Sequence, residues 1–333
     1  MNSYFVKSQE FSMITTGKVK TALLINVSGL GDIISSIIVA QSLKQYNVSY
    51  LIPSKFRGLF FCTQYSEYTS DCVPEQFFDL IIDLTGSRTS RQLIRFLKGK
   101  QKLGRYKNLL SRFKYSHLYH HQVPKYTSKD HIVWDYIPVL KFLNLSVGDT
   151  LYLGDISNVN YDEKCPREVV IHIDADRSIR RIPESLVISF CRYFQKNNIP
   201  VRLVGTESDI AMKICKKVDG YPIYEQGTLV ELKKWLQHTL VLIAPDSGVF
   251  HLGSALGVFT LGLYGPNTYQ RAGSVNPNAT EYSLNYNCRP CRQDKLCPYE
   301  NRCMQHLEIK PILKKLKEFL STNGITFNLD NFE

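Results

Sequence analysis

The sequence predicts an α/β protein made of two parallel, doubly wound halves, and three stretches carry that prediction. The first is the apolar run Thr21 to Val27 (TALLINV), which enters the turn Ser28-Gly29-Leu30-Gly31-Asp32 and then an apolar-periodic helix, the usual opening of a nucleotide-binding half. The second is Glu168 to Ile173 (EVVIHI), where the strand-then-loop-then-helix rhythm restarts. The third, Leu240 to Thr268, reads strand, turn, small-residue helix, strand, turn. A length of 333 residues is natural for two domains.

In chain order, the first strand is followed by a helix from Ile33 to about Gln45, with Ile33, Ile34, Ile37, Ile38 and Val39 on one face. Val48 to Ile52 and Asp79 to Asp83 are further strands; the second leads into the polar loop Leu84 to Arg88. Leu103 to Tyr106 is a short strand, and a helix is expected from His131 to Leu143. His117, His120, His121 and His131 lack ligand spacing on a helix and read as loop histidines. Leu145 to Asp162, with Gly148 and Gly154, reads as the linker between the halves. In the second half come a helix from Glu184 to about Gln195, strands at Val201 to Gly205 and Tyr221 to Tyr224, and a helix opening at Gly227-Thr228-Leu229.

The chemistry concentrates in the third stretch. Asp246, Ser247 and His251 sit at or just beyond the C-terminal end of a buried strand, where open α/β sheets bind ligands. Turn amides at the helix start suit an anion such as phosphate, and Gly248 lets a ligand approach the backbone. Asp246 or Ser247 as plain helix caps, and His251 as a core histidine, are the alternatives. Asp32, at the start of the first-half helix, is placed either to cap it or to accept a proton in a cleft. The glycine pattern around it is not GxGxxG, and no acidic residue closes a clear second strand, so a nicotinamide cofactor is not indicated.

The formal charge is +11, and the basic residues gather between Ser87 and Lys129, interleaved with aromatics. Such a surface suits an anionic partner. No RNA-binding motif accompanies it, so a phosphorylated lipid at a membrane surface fits better than nucleic acid. No apolar run approaches the ~20 residues of a membrane span. The first twenty residues lack the apolar core of a signal peptide, which places the protein in the cytoplasm, with peripheral contact at the inner membrane face. Nine cysteines, an odd number, argue against a disulfide framework. Cys288, Cys291, Cys297 and Cys303 combine a CxxC with two further cysteines spaced by six, a pattern open to a structural Zn or Fe site or to simple loop thiols.

DSGVFHLGSALG, followed by LYGPNT, closely resembles the donor-site motif of glycosyltransferase family 9, the bacterial heptosyltransferases of lipopolysaccharide inner-core synthesis. The resemblance spans roughly residues 21–310. It implies a GT-B fold, two Rossmann-like domains facing a cleft, and inverting, metal-independent transfer of heptose from ADP-heptose to an inner-core or related glycan acceptor. It also implies an N-terminal extension (1–20), an acceptor domain (21–155), a donor domain (165–308) containing the Cys-rich loop 288–303, and a terminal helix (309–322) crossing back to the first domain. In this reading Asp32 is the catalytic base. Gly31, Arg88 and Arg91 face the acceptor; Arg180, Thr228, Asp246, Ser247, Gly248 and His251 hold the donor. No cofactor is required. The chain departs from the family where Arg180 replaces a Lys and Ile182 a Trp. Another nucleotide-sugar donor, a protein acceptor, a 2-epimerase and a non-catalytic nucleotide-binding relative are the rival readings.

Overall fold

The computed structural model describes residues 19–127, 130–146, 148–154, 167–291 and 297–324. Its first sheet contains β1 (Lys20–Ile25), β2 (Tyr46–Ile52), β3 (Ser66–Thr69), β4 (Phe77–Asp83), β5 (Lys98–Tyr106) and β6 (His121–Pro124), ordered 3-2-1-4-5-6. The second contains β7 (Glu168–His172), β8 (Val201–Val204), β9 (Ile223–Tyr224), β10 (Thr239–Pro245), β11 (Thr260–Tyr264) and β12 (Ala279–Ser283), ordered 12-11-10-7-8-9. Every pairing in both sheets is parallel. Numbered from its own first strand, the second sheet repeats the order of the first. The α/β, doubly wound expectation holds for both halves.

Period-two alternation in the strands assigns each residue to a layer. Ala22 and Leu24 of β1, Val170 of β7, and Leu242 and Ala244 of β10 belong to one apolar cluster that runs between the two halves. Leu23 and Ile25 point to the opposite face of the first sheet, with Phe78, Ile81, Ile94 and Leu97. Val169, Ile171, Val241 and Ile243 do the same in the second, against the helix Glu184–Lys196. Strands buried on both faces read as continuous apolar runs, which is why β1, β7 and β10 were legible.

Three expectations need correction. The helix after β1 is two short pieces, Leu30–Ser35 and Ile37–Ser42. Ser36 Oγ donates to the Ile33 carbonyl at 2.6 Å, and the Tyr50 hydroxyl takes the Ser36 carbonyl at 3.2 Å, so local bonds replace the helical ladder there. The segment expected as a helix from His131 is a tight 3-10 turn, Ile132–Tyr136, and then a helix, Ile137–Phe142. The terminal helix, Ile309–Thr322, does not cross back. Ile312, Leu313, Leu316 and Leu320 bury against the outer face of the second sheet. The expected extension, apart from Val19 and Lys20, and residues 155–166 at the boundary between the halves lie outside the described residues; Leu151 to Gly154, from the expected linker, are described. That segment docks on the second half: Leu153 N–H donates to the Ala255 carbonyl, and Asn276 brackets Leu151 through both its amide oxygen and nitrogen.

Candidate functional site

In an open parallel sheet the crevice forms where strand order reverses, at the carboxyl ends of the strands. In the first sheet the reversal lies between β1 and β4, in the second between β7 and β10. Asp32 follows β1, in the first turn of Leu30–Ser35. Arg88 follows β4, at the start of the helix Arg88–Leu93, which Ser87 and Ser90 cap reciprocally. Arg180 lies on the loop after β7; Asp246 and Ser247 follow β10 and open the helix Gly248–Ala255.

Side chains close the second switch point. Arg180 Nη1 stands 3.3 Å from Asp246 Oδ2, and Asn267 Nδ2, from the turn after β11, donates to the same oxygen at 3.1 Å. His172 Nδ1 and Ser247 Oγ share a hydrogen bond at 3.1 Å across the two strands. Ser247 Oγ also accepts the Phe250 N–H as the helix cap. The capping alternative is therefore true of Ser247 and does not exhaust it. Burial raises the Asp246 pKa, while Arg180 and the Asn267 amide pull it back. Burial drives His172 down to about 4 despite the neighbouring Asp174 carboxylate. His251 is likewise lowered to about 4, chiefly by burial and further by His131. At neutral pH both imidazoles are uncharged, so they contribute hydrogen-bonding and packing rather than a cation.

The two switch points meet through the starts of their helices. A Cβ on Gly31 would lie 2.9 Å from His251 Cδ2, and one on Gly248 would lie 2.6 Å from Leu30 Cβ. Glycine at both positions allows Leu30–Ser35 and Gly248–Ala255 to touch. Asp32 thus belongs to a helix that packs on the helix opened by Asp246, Ser247 and Gly248. Burial raises its carboxyl pKa; Lys125, the Gly29 amide and Arg271 oppose the rise and Asp135 adds to it. Its backbone is fixed independently, since Asn26 Nδ2 and the Tyr136 hydroxyl each donate to the Asp32 carbonyl at 3.1 Å. Asp135 of the first half and Arg271 of the second pair at 2.8 Å beside it.

The structure brings together Gly31, Asp32, Arg180, Asp246, Ser247, Gly248 and His251. It does not bring all candidates there in the same way. Arg88 is exposed on the loop side of the first sheet. The Arg91 guanidinium stacks on the Tyr115 ring at 4.0 Å, a packing role that leaves it half-buried. The Thr228 hydroxyl accepts from the Glu231 N–H and donates to its carboxylate, closing a capping box on the helix Leu229–Gln237. The base of the Cys-rich loop is tied to the turn after β11: Cys291 N–H donates to the Pro266 carbonyl at 2.9 Å and Arg289 Nη2 to the Asn267 carbonyl at 2.8 Å. Burial raises the Cys303 thiol pKa; Arg289 lowers it, and the thiols of Cys297, Cys291 and Cys288 raise it further. Among the described residues, no three His, Cys, Asp or Glu side chains converge as a metal site.

Sequence reasoning missed His172, Asn267, Lys125 and the Asp135–Arg271 pair. His172 carried a signal, a polar residue closing the apolar run Val169 to Ile171. His131 was read as a loop residue, yet it is buried, with Nε2 at 3.1 Å from the Gly273 carbonyl.

The sequence profile of glycosyltransferase family 9 (heptosyltransferase) matches residues 73–302. Lipooligosaccharide heptosyltransferase 2 of Campylobacter jejuni is 32% identical over 87 residues, covering 26% of this chain and 27% of that protein. This match therefore spans about a quarter of the curated relative's length. The structure of E. coli heptosyltransferase WaaC with ADP superposes with a TM-score of 0.71 at 16% identity, covering 90% of this chain and 99% of that one. Iron-containing dodecameric glycosyltransferase TibC, from enterotoxigenic E. coli, gives 0.55 at 10% identity, covering 92% and 78%. These likenesses establish the two-sheet architecture as GT-B. With its fold and the greater part of its length matched, the chain belongs to glycosyltransferase family 9, the heptosyltransferase family.

Proposed function

We propose that this protein transfers heptose from ADP-heptose to a lipopolysaccharide inner-core acceptor with inversion at the anomeric carbon. The observation that carries the reading is the contact between the two helix starts. It brings the helix that carries Asp32 in the first half against the helix that the Asp246-Ser247-Gly248 turn opens in the second. Asp32 takes the proton of an acceptor hydroxyl; that oxygen attacks the anomeric carbon, and the sugar–phosphate C–O bond breaks to release ADP. Burial, by raising the Asp32 pKa, makes it a stronger base than a surface aspartate. Arg180 and the amides opening Gly248–Ala255 meet the charge that develops on the departing diphosphate. Asp246 holds Arg180 in place, and His251 acts as a neutral hydrogen-bonding group. Arg88 and Lys125 line the acceptor side. The similarity to the structure of E. coli heptosyltransferase WaaC with ADP supports an ADP-linked donor.

In this scheme positioning and fixed charges supply the acceleration, and no divalent cation takes part in a step. No described helix is long and apolar enough to cross a membrane, and the reading places the enzyme in the cytoplasm facing the inner leaflet. The test is release of ADP from ADP-heptose in the presence of heptose-deficient inner-core lipid, with calorimetry of ADP alongside. Asp32→Asn should lower release by about 10²–10⁴ and keep ADP binding, and chelator should leave the rate unchanged. Unaltered turnover by Asp32→Asn removes the base assignment, and preference for UDP or GDP over ADP removes the donor.

A further inference from the structure

We propose that the short helix Leu109–Lys114 and its basic surroundings form the surface by which this protein docks on an anionic lipid bilayer. The proposal deepens the reading above, because it places a lipid-anchored acceptor at the mouth of the cleft. Three large apolar side chains project from this helix into solvent: Leu109 is 63% exposed, Leu110 81% and Phe113 73%. At i, i+1 and i+4 they share one face. The helix is held with that face outward. Asn108 and Ser111 cap it reciprocally, Gln122 Nε2 donates to the Arg112 carbonyl at 3.1 Å, and the Arg112 guanidinium lies 5.5 Å from the Tyr106 ring.

Charge identifies the partner. From residue 84 to residue 129 there are 12 Lys and Arg and no Asp or Glu. The rest of the chain has 29 basic and 30 acidic residues, so this one segment holds the entire positive excess of +11. Arg88, Arg95, Lys98, Lys100, Lys107, Arg112, Lys114 and Lys125 are exposed on it. Aliphatic side chains ringed by cations match the acyl and headgroup layers of an anionic membrane. A nucleic acid would use the cations but has no use for two exposed leucines, since bases stack on aromatic faces.

Position supports the same partner. The helix follows the carboxyl end of β5, the edge of the sheet from which Asp32 and Arg88 also emerge. Lys125, just beyond the end of β6, lies close enough to act on the Asp32 carboxylate. A bilayer seated on Leu109–Lys114 therefore faces the acceptor side of the cleft.

Flotation with vesicles of phosphatidylglycerol and phosphatidylethanolamine, against pure phosphatidylcholine, tests the proposal on the full chain. The wild type should float with the anionic vesicles only, and less so at high salt. The triple variant Leu109→Ser/Leu110→Ser/Phe113→Ser and the pair Arg112→Glu/Lys114→Glu should each lower the bound fraction at least tenfold, with Tm and ADP affinity unchanged. Wild-type binding that survives both variants overturns the proposal. So does indifference of the wild type to anionic vesicles, or capture of an RNA oligonucleotide through this helix in their place. Absence of ADP binding in every protein, with vesicle binding still dependent on the helix, counts against the transferase reading and leaves the docking surface standing.

Discussion

His251 is buried in the helix contact at the centre of the site, and its titration should be readable in the stability of the whole protein. An exposed histidine titrates near 6.5; in the folded chain burial lowers His251 to about 4. Between those values the unfolded state binds the proton and the native state does not. Stability is therefore full above pH 6.5 and falls as the pH drops toward 4. That lowering is worth about 3 kcal/mol in the acid limit, of which about 2 kcal/mol is lost by pH 5. His172, also lowered to about 4, acts in the same direction. The carboxyls of Asp32, Asp83 and Asp246, raised by burial, act in the opposite one. Both sets persist in a His251→Asn variant, so the difference between variant and wild type isolates one imidazole. Urea denaturation followed by fluorescence of Trp134 and Trp235, at steps from pH 8 to pH 5, supplies that difference. The variant is destabilised at pH 8 by lost packing, and the gap should narrow by about 2 kcal/mol at pH 5. A gap that stays constant across the range refutes the burial argument and with it the neutral role given to His251.

Asp32→Asn should reduce turnover by about 10²–10⁴, the usual worth of a positioned base, with the ADP dissociation constant within a factor of two by calorimetry. Gly31→Ala presses a methyl onto His251 and should lower stability by about 1–3 kcal/mol, whereas Gly29→Ala meets no atom nearer than 4.0 Å and serves as its control in thermal melts. Lys233, on the second half, donates its ammonium to the carbonyls of Leu59 and Phe61 in the first. Lys233→Met should cost about 1–3 kcal/mol for the buried Leu59 carbonyl left without a donor, seen as a lower urea midpoint.

What the sequence made legible follows from where burial is two-sided. β1, β7 and β10 lie inside their sheets, covered on both faces, and their uninterrupted Ile, Leu, Val and Ala announce them. The strands that escaped notice are edges. Ser66–Thr69 (SEYT), His121–Pro124 (HQVP) and Ala279–Ser283 (ATEYS) each pair on one side only and carry polar residues that erase the apolar run. The break at Ser36 was invisible for a different reason. No Gly or Pro marks it, and the bonds that accompany it are made by the Ser36 hydroxyl and by the hydroxyl of Tyr50, on the neighbouring strand. The terminal helix shows the limit of periodicity: a 3.6-residue apolar stripe says that a face is buried and is silent on which sheet buries it.

The same contrast explains the site. Its legible members, Asp32, Asp246, Ser247, Gly248 and His251, follow β1 and β10 directly, so two strongly apolar strands pointed to them. Both strands flank a switch point, and the topology that buries a strand most completely also puts its carboxyl end at the crevice. The members that were missed reach the site from elsewhere. Arg271, Asp135, His131 and Asn267 come from short helical turns and loops whose sequence is unremarkable, and only the packing of one half on the other gathers them. That packing depends on two glycines, Gly31 and Gly248, whose missing side chains admit His251 and Leu30. In the sequence they read as turn and ligand-approach glycines. In the fold they set how closely the helix Leu30–Ser35 of one half approaches the helix Gly248–Ala255 of the other.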